Sequence, residues 1–74
     1  MTGRQIRAAR GLLKWSVREL AQQAGVARNT VVRCEASEGV PRAHSGSLQR
    51  IQMAFEGAGV RFLGEAGVRL RDNP

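Results

Sequence analysis

Arg28, Asn29 and Arg33 are side chains of types that recognise other molecules through hydrogen bonds. A guanidinium presents a planar fork of N–H donors that fits phosphate or the guanine edge, and a carboxamide both donates and accepts. If residues 28–36 are helical, Asn29 and Arg33 lie one turn apart on the side away from Val31, Cys34 and Glu35, and Arg28 in the first turn also has a path outward. The charge balance agrees with an anionic partner. The 74 residues carry 12 Lys plus Arg against 6 Asp plus Glu, a net charge of +6, and eleven of the twelve cations are Arg. A merely solubilising surface charge is the alternative, and position along the chain has to decide between them.

Other chemistries find little support. The acids are scattered, and no Ser/His/Asp set, close carboxylate pair, metal cluster or phosphate-binding glycine loop is present. Cys34 is the sole cysteine and His44 the sole histidine, which argues against an internal disulfide and against a zinc-ligand pair. No catalytic residue, cofactor or metal is therefore expected. No apolar stretch approaches the roughly 18 residues of a membrane span, and the N-terminus lacks the apolar block of a signal peptide, so a cytoplasmic protein with no membrane partner is expected. The length suits a single domain over 1–74, with no separate sensor or catalytic domain.

The elements that must position Arg28, Asn29 and Arg33 lie between Ser16 and Glu35, a run that reads as two short helices joined by a tight turn. Ser16-Val-Arg-Glu19 has capping-box spacing, Val17, Leu20, Ala21 and Ala24 form an apolar stripe, and Gly25 supplies a helix end, which predicts a helix over about 17–24. Val26 plugs the turn, and the next helix, about 28–36, starts at once with only Ala27 at its cap. Replacing Ala27 by Ser should stabilise it by roughly 1 kcal/mol. Such a turn can hold the second helix out from the body, as the major groove of DNA requires.

Upstream, Thr2-Gly-Arg-Gln5 repeats the capping box, and Ile6, Ala9 and Leu13 recur on one face of a helix over about 3–13 whose other side carries Arg4, Arg7 and Lys14. Downstream, residues 37–46 read as a loop. Leu48, Ile51 and Phe55, with Ala54 and Ala58, then mark a fourth helix over about 46–57, capped by Ser45 or Ser47 and ended by Gly59, with Arg50 off its apolar side. Beyond Gly59 the period becomes two, predicting strands over about 60–63 and 68–71 around a Gly-containing turn. Val60, Phe62, Val68 and Leu70 share one face of that hairpin, and Arg61, Arg69 and Arg71 the other. The predicted fold class is mainly α, four helices and a short C-terminal β-hairpin. Because two strands alone are marginal in water, the hairpin must pack on the helices or pair with a second chain.

The pattern Leu20-Ala21, Gly25-Val26, Val31 and Glu35, after an Arg-bearing first helix, resembles the Cro/C1 (Xre) phage-repressor-type helix-turn-helix family over about residues 3–58. Ala8-Ala-Arg-Gly-Leu-Leu-Lys-Trp-Ser16 and Ala24-Gly-Val26, with the tail segments Gly59-Val-Arg-Phe62 and Gly67-Val-Arg-Leu-Arg71, are similar to short bacterial Xre-like regulators. The resemblance implies a repressor-like domain whose third helix enters the major groove of double-stranded DNA, as one half of a homodimer on a palindromic operator. It makes Arg28, Asn29 and Arg33 the base-contact candidates. It also implies Arg10 as the partner of Glu35 in a structural ion pair, in line with the cost of burying an unpaired carboxylate. Thr30 falls where it can bond a phosphate or meet a thymine methyl group. Where the family commonly has a Gln, this chain has Val17, so one side-chain phosphate contact is missing. Ser16, with the backbone at that helix N-terminus, and Arg18 and Arg42 are the replacement phosphate contacts, plain solvent exposure being the alternative for both arginines. Cys34, where the family tends to have a larger apolar residue, reads as core, and so does Trp15.

Three functions compete on these grounds. The leading one is a sequence-specific DNA-binding transcriptional regulator. The second is an antitoxin-like or regulatory subunit whose fourth helix and hairpin dock a partner protein, and the third a non-specific nucleic-acid binder. A single module contacts few base pairs, so specificity argues for a homodimer through either the strand at 68–71 or the fourth helix.

Overall fold

Two reciprocal capping boxes start the first two helices. The computed structural model describes residues 1–39, 46–64 and 67–70. In it the Gln5 N–H donates to the Thr2 hydroxyl at 3.2 Å while the Thr2 N–H donates to Gln5 Oε1 at 2.9 Å, and α1 runs over Gly3–Leu13. Ser16 and Glu19 repeat the exchange at 3.2 and 3.0 Å to open α2, Val17–Ala24. Gly25 closes α2 with φ 69°, a conformation that costs glycine little. Only Gly25 to Ala27 separate it from α3, Arg28–Ala36, and Ala27 offers no side-chain cap. The fourth helix, α4, spans Ser47–Gly57 and starts one residue later than its spacing predicts. Gly46, at φ 91°, is its N-cap and Ser47 its first helical residue, so Ser47 does not cap it, and Ser45 lies outside the described residues.

The chain then forms β1, Val60–Leu63, and β2, Gly67–Leu70, an antiparallel pair. Leu63 pairs with Gly67, so the second strand begins one residue earlier than predicted, and Arg71 lies outside the described residues. Val60 opposite Leu70 and Phe62 opposite Val68 share one face, and Arg61 opposite Arg69 share the other. Val60 is buried and Phe62 and Val68 are half-buried, whereas Leu70, at the open end, stays 44% exposed.

One core joins the four helices to the hairpin: Ile6 and Ala9 of α1, Leu20 of α2, Val31 and Cys34 of α3, Ile51 and Phe55 of α4, and Val60 of β1. Phe55 is at its centre, stacked on half-buried Trp15 with ring centroids 5.8 Å apart and meeting Phe62 edge-on at 6.0 Å. Truncating such a ring typically costs about 3–5 kcal/mol. The hairpin packs on α1 and α4 of its own chain. Gln5, fully buried, ties it down, because its Nε2 donates to the carbonyls of Gly64 at 2.9 Å and Gly67 at 3.0 Å. No helix among the described residues is long and apolar enough to cross a membrane.

Candidate nucleic-acid interface

α3 is fastened from its inward side. Glu35 is 8% exposed, and its carboxylate accepts from Arg10 Nε at 2.7 Å and Arg10 Nη2 at 3.1 Å. Arg10 spends its third nitrogen on the Trp15 carbonyl at 3.0 Å, so one α1 side chain fixes both α3 and the entry to α2. The hydrogen bonds to Glu35 raise the Arg10 pKa above its ordinary value, against a smaller opposing effect of burial. The ion pair implied by the family resemblance is thus formed.

Two further α1 residues reach the far end of α3. Arg7 Nη1 donates to the Glu35 carbonyl, placing a cation at the negative end of the helix. Sequence reasoning left Arg7 as part of an exposed basic flank; its backbone partner, 28 residues away, was invisible there. Gly3 lets the first turn of α1 approach the last turn of α3. A Cβ at that position would collide with the carbonyl oxygens of Ser37, Cys34 and Glu35, the last at 2.9 Å. At the opposite end the turn is closed by the Val26 N–H on the Ala21 carbonyl at 3.1 Å and by Arg50 Nη1 on the Gly25 carbonyl at 3.4 Å.

What α3 leaves outside is one continuous surface. Arg28, Asn29, Val32, Arg33 and Ala36 are all exposed, and at 100° per residue they fall in a single arc of about 140°. The side chains of Arg28, Asn29 and Arg33 have no hydrogen-bond or ion-pair partner among the described residues. No family model matches this sequence, and no curated protein matches it. The α3 surface has to be understood from its own geometry. Two guanidiniums and a carboxamide, carried on a helix whose other side is clamped, form a preset array of donors with one acceptor.

The flanking candidates fall elsewhere. Thr30 is half-buried at the edge of the arc, its N–H taken by the Ala27 carbonyl at 3.0 Å. Ser16 and exposed Arg18 sit at the first turn of α2, about 12 Å along its axis from the turn that leads into α3. The Ser16 hydroxyl accepts from the Glu19 N–H, and the Glu19 carboxylate takes the Ser16 N–H. That carboxylate competes with any phosphate for the positive end of α2, leaving the N–H groups of Val17 and Arg18 to be satisfied from outside the helix. Arg42 and His44 lie outside the described residues. Cys34 is 2% exposed in the core, where burial pushes its thiol pKa up. Val32 was missed by sequence reasoning, although the wheel that selected Asn29 and Arg33 places it between Arg28 and Asn29.

Proposed function

We propose that this protein is a sequence-specific DNA-binding transcriptional regulator of the Cro/C1 (Xre) helix-turn-helix type, acting in the cytoplasm as a homodimer on a palindromic operator. The observation that carries this reading is the exposed arc of α3, where Arg28, Asn29 and Arg33 have no side-chain partner among the described residues, on a helix clamped from behind by Arg10 and Glu35. Inserted in a major groove, Arg33 and Arg28 donate in bidentate fashion to guanine O6 and N7, and Asn29 donates and accepts at an adenine edge. The net charge of +6 supplies sequence-independent attraction to phosphates, with Arg18 and Arg42 as flanking contacts.

Selection of duplexes from a random pool by the purified protein tests the whole reading, because a recovered palindrome reports the site, the dimer and the half-site spacing together. On the selected duplex, Arg33→Ala should weaken binding by about 1–3 kcal/mol. Affinity unchanged within error would remove α3 as the reading element. Binding should also fall steeply between low and physiological salt.

A second reading, an antitoxin-like or regulatory subunit whose α4 and hairpin dock a partner protein, is favoured by Met53, 61% exposed on α4, and Leu63, 50% exposed on the outer face of β1. Capture of one defined protein that survives Arg33→Ala but not Leu63→Asp would support it.

A further inference from the structure

Val32 stands 53% exposed within the arc that also holds Arg28, Asn29, Arg33 and Ala36. It lies about 40° around the helix from Arg28 and about 60° from Asn29, so a surface that meets both of those side chains meets Val32 as well. Val32 is not among the side chains that pack on the core of the described residues. The inward side of α3 is already filled by Val31 and Cys34, and a β-branched residue on an exposed face lowers helix propensity in a helix that has no side-chain cap. The apolar group sits instead among donors suited to base edges, and a base pair offers one apolar feature in the major groove. That feature is the C5-methyl group of thymine, which 5-methylcytosine presents at the same ring position.

We propose that Val32 is a specificity-determining residue that seats the C5-methyl group of a pyrimidine in the major groove, beside the bases addressed by Arg28 and Asn29. The proposal rests on the DNA-binding reading and makes it more definite, since it requires a methylated pyrimidine in each half-site. The isopropyl group and the methyl group exclude water from one another, a gain worth about threefold to fivefold in affinity. No phosphate is involved, so this gain does not depend on salt.

The test uses the full chain and its selected duplex, comparing wild type with Val32→Ala at equilibrium. In one series each thymine of a half-site is replaced by deoxyuridine, which removes the methyl group and keeps the base pair. In the other each cytosine is replaced by 5-methylcytosine. At one position per half-site, either deoxyuridine should weaken wild-type binding threefold to fivefold, which identifies thymine, or 5-methylcytosine should strengthen it as much, which identifies the methylated cytosine. In Val32→Ala the same replacement should have no effect, while the salt dependence stays that of wild type. Alanine is a better helix former than valine at an exposed site, so the variant remains folded. Wild-type binding that is indifferent to every methyl group, while Arg33→Ala still weakens it, overturns the role of Val32 and leaves the DNA-binding reading standing. A methyl effect that persists in Val32→Ala overturns it too. Failure to select any duplex overturns both.

Discussion

α2 carries its own instructions at both ends, with Ser16 and Glu19 exchanging bonds at its start and Gly25 turning left-handed after it. α3 starts at Ala27 without a side-chain cap and ends at Ser37 in extended backbone. Its position comes instead from its neighbours: from α1, through the Arg10–Glu35 pair, the Arg7 bond to the Glu35 carbonyl and the close approach at Gly3, and from α2 and α4, through packing and the bonds that close the turn before it. The difference teaches that a helix with an exposed outer face can be located by tertiary contacts made elsewhere along it. Local signals then matter less for it than tertiary ones.

The sharpest way to break this contrast is Gly3→Ala. The atoms a new Cβ would strike are backbone carbonyls, which cannot rotate aside, so the loss should lie at or above the upper end of the usual overpacking cost, about 3 kcal/mol. It would be read as a lower denaturant midpoint, and an unchanged midpoint would mean that α1 is not the support of α3. Next in size is Glu35→Ala, which strands Arg10. Breaking a buried pair costs about 3–5 kcal/mol, but the Arg10 side chain is 25% exposed here, so the low end, about 3 kcal/mol, is expected in chemical denaturation.

Local capping should give smaller effects of opposite sign in the two helices. Ser16→Ala should cost about 1 kcal/mol, and Ala27→Ser should add a similar amount. If Ala27→Ser adds nothing, the N-terminus of α3 is not the weak point it is taken to be. The smallest effect concerns Cys34. Its raised pKa favours the neutral thiol in the folded state, so this contribution to stability is complete below the ordinary value of 9.0 and is lost as pH rises through the higher folded value. At neutral pH a thiol reagent should label Cys34 at least tenfold more slowly in native protein than in urea, and Gly3→Ala should narrow that gap by loosening α3.

Those predictions divide the molecule along the line between what a sequence displays and what it conceals. Both capping boxes, the glycine turn, the inward Glu35 and the facing of the hairpin were legible, because each depends on neighbours within a turn or a strand. Family resemblance named Arg10 as the partner of Glu35. The outward placement of Arg28, Asn29 and Arg33 followed from helical periodicity alone. Gly3 and Arg7 were not legible, since their partners lie at the other end of α3 and only folding brings them within reach. The second strand was legible over 68–70 but its first residue was not, because Gly67 has no side chain to mark its pairing with Leu63. Val32 was overlooked for a different reason: the polar residues around it were the ones that suggested chemistry.

Gln5 has a consequence for the order of events during synthesis. Its own capping partner, Thr2, is three residues away, but the acceptors for its Nε2 are separated from it by 59 and 62 residues. A nascent chain can therefore complete the start of α1 almost at once, yet that amide has no internal acceptors until Gly64 and Gly67 have left the ribosome. Until then, seating α1 in the core would strand a polar group, and the helix that holds α3 from behind would be the last to settle.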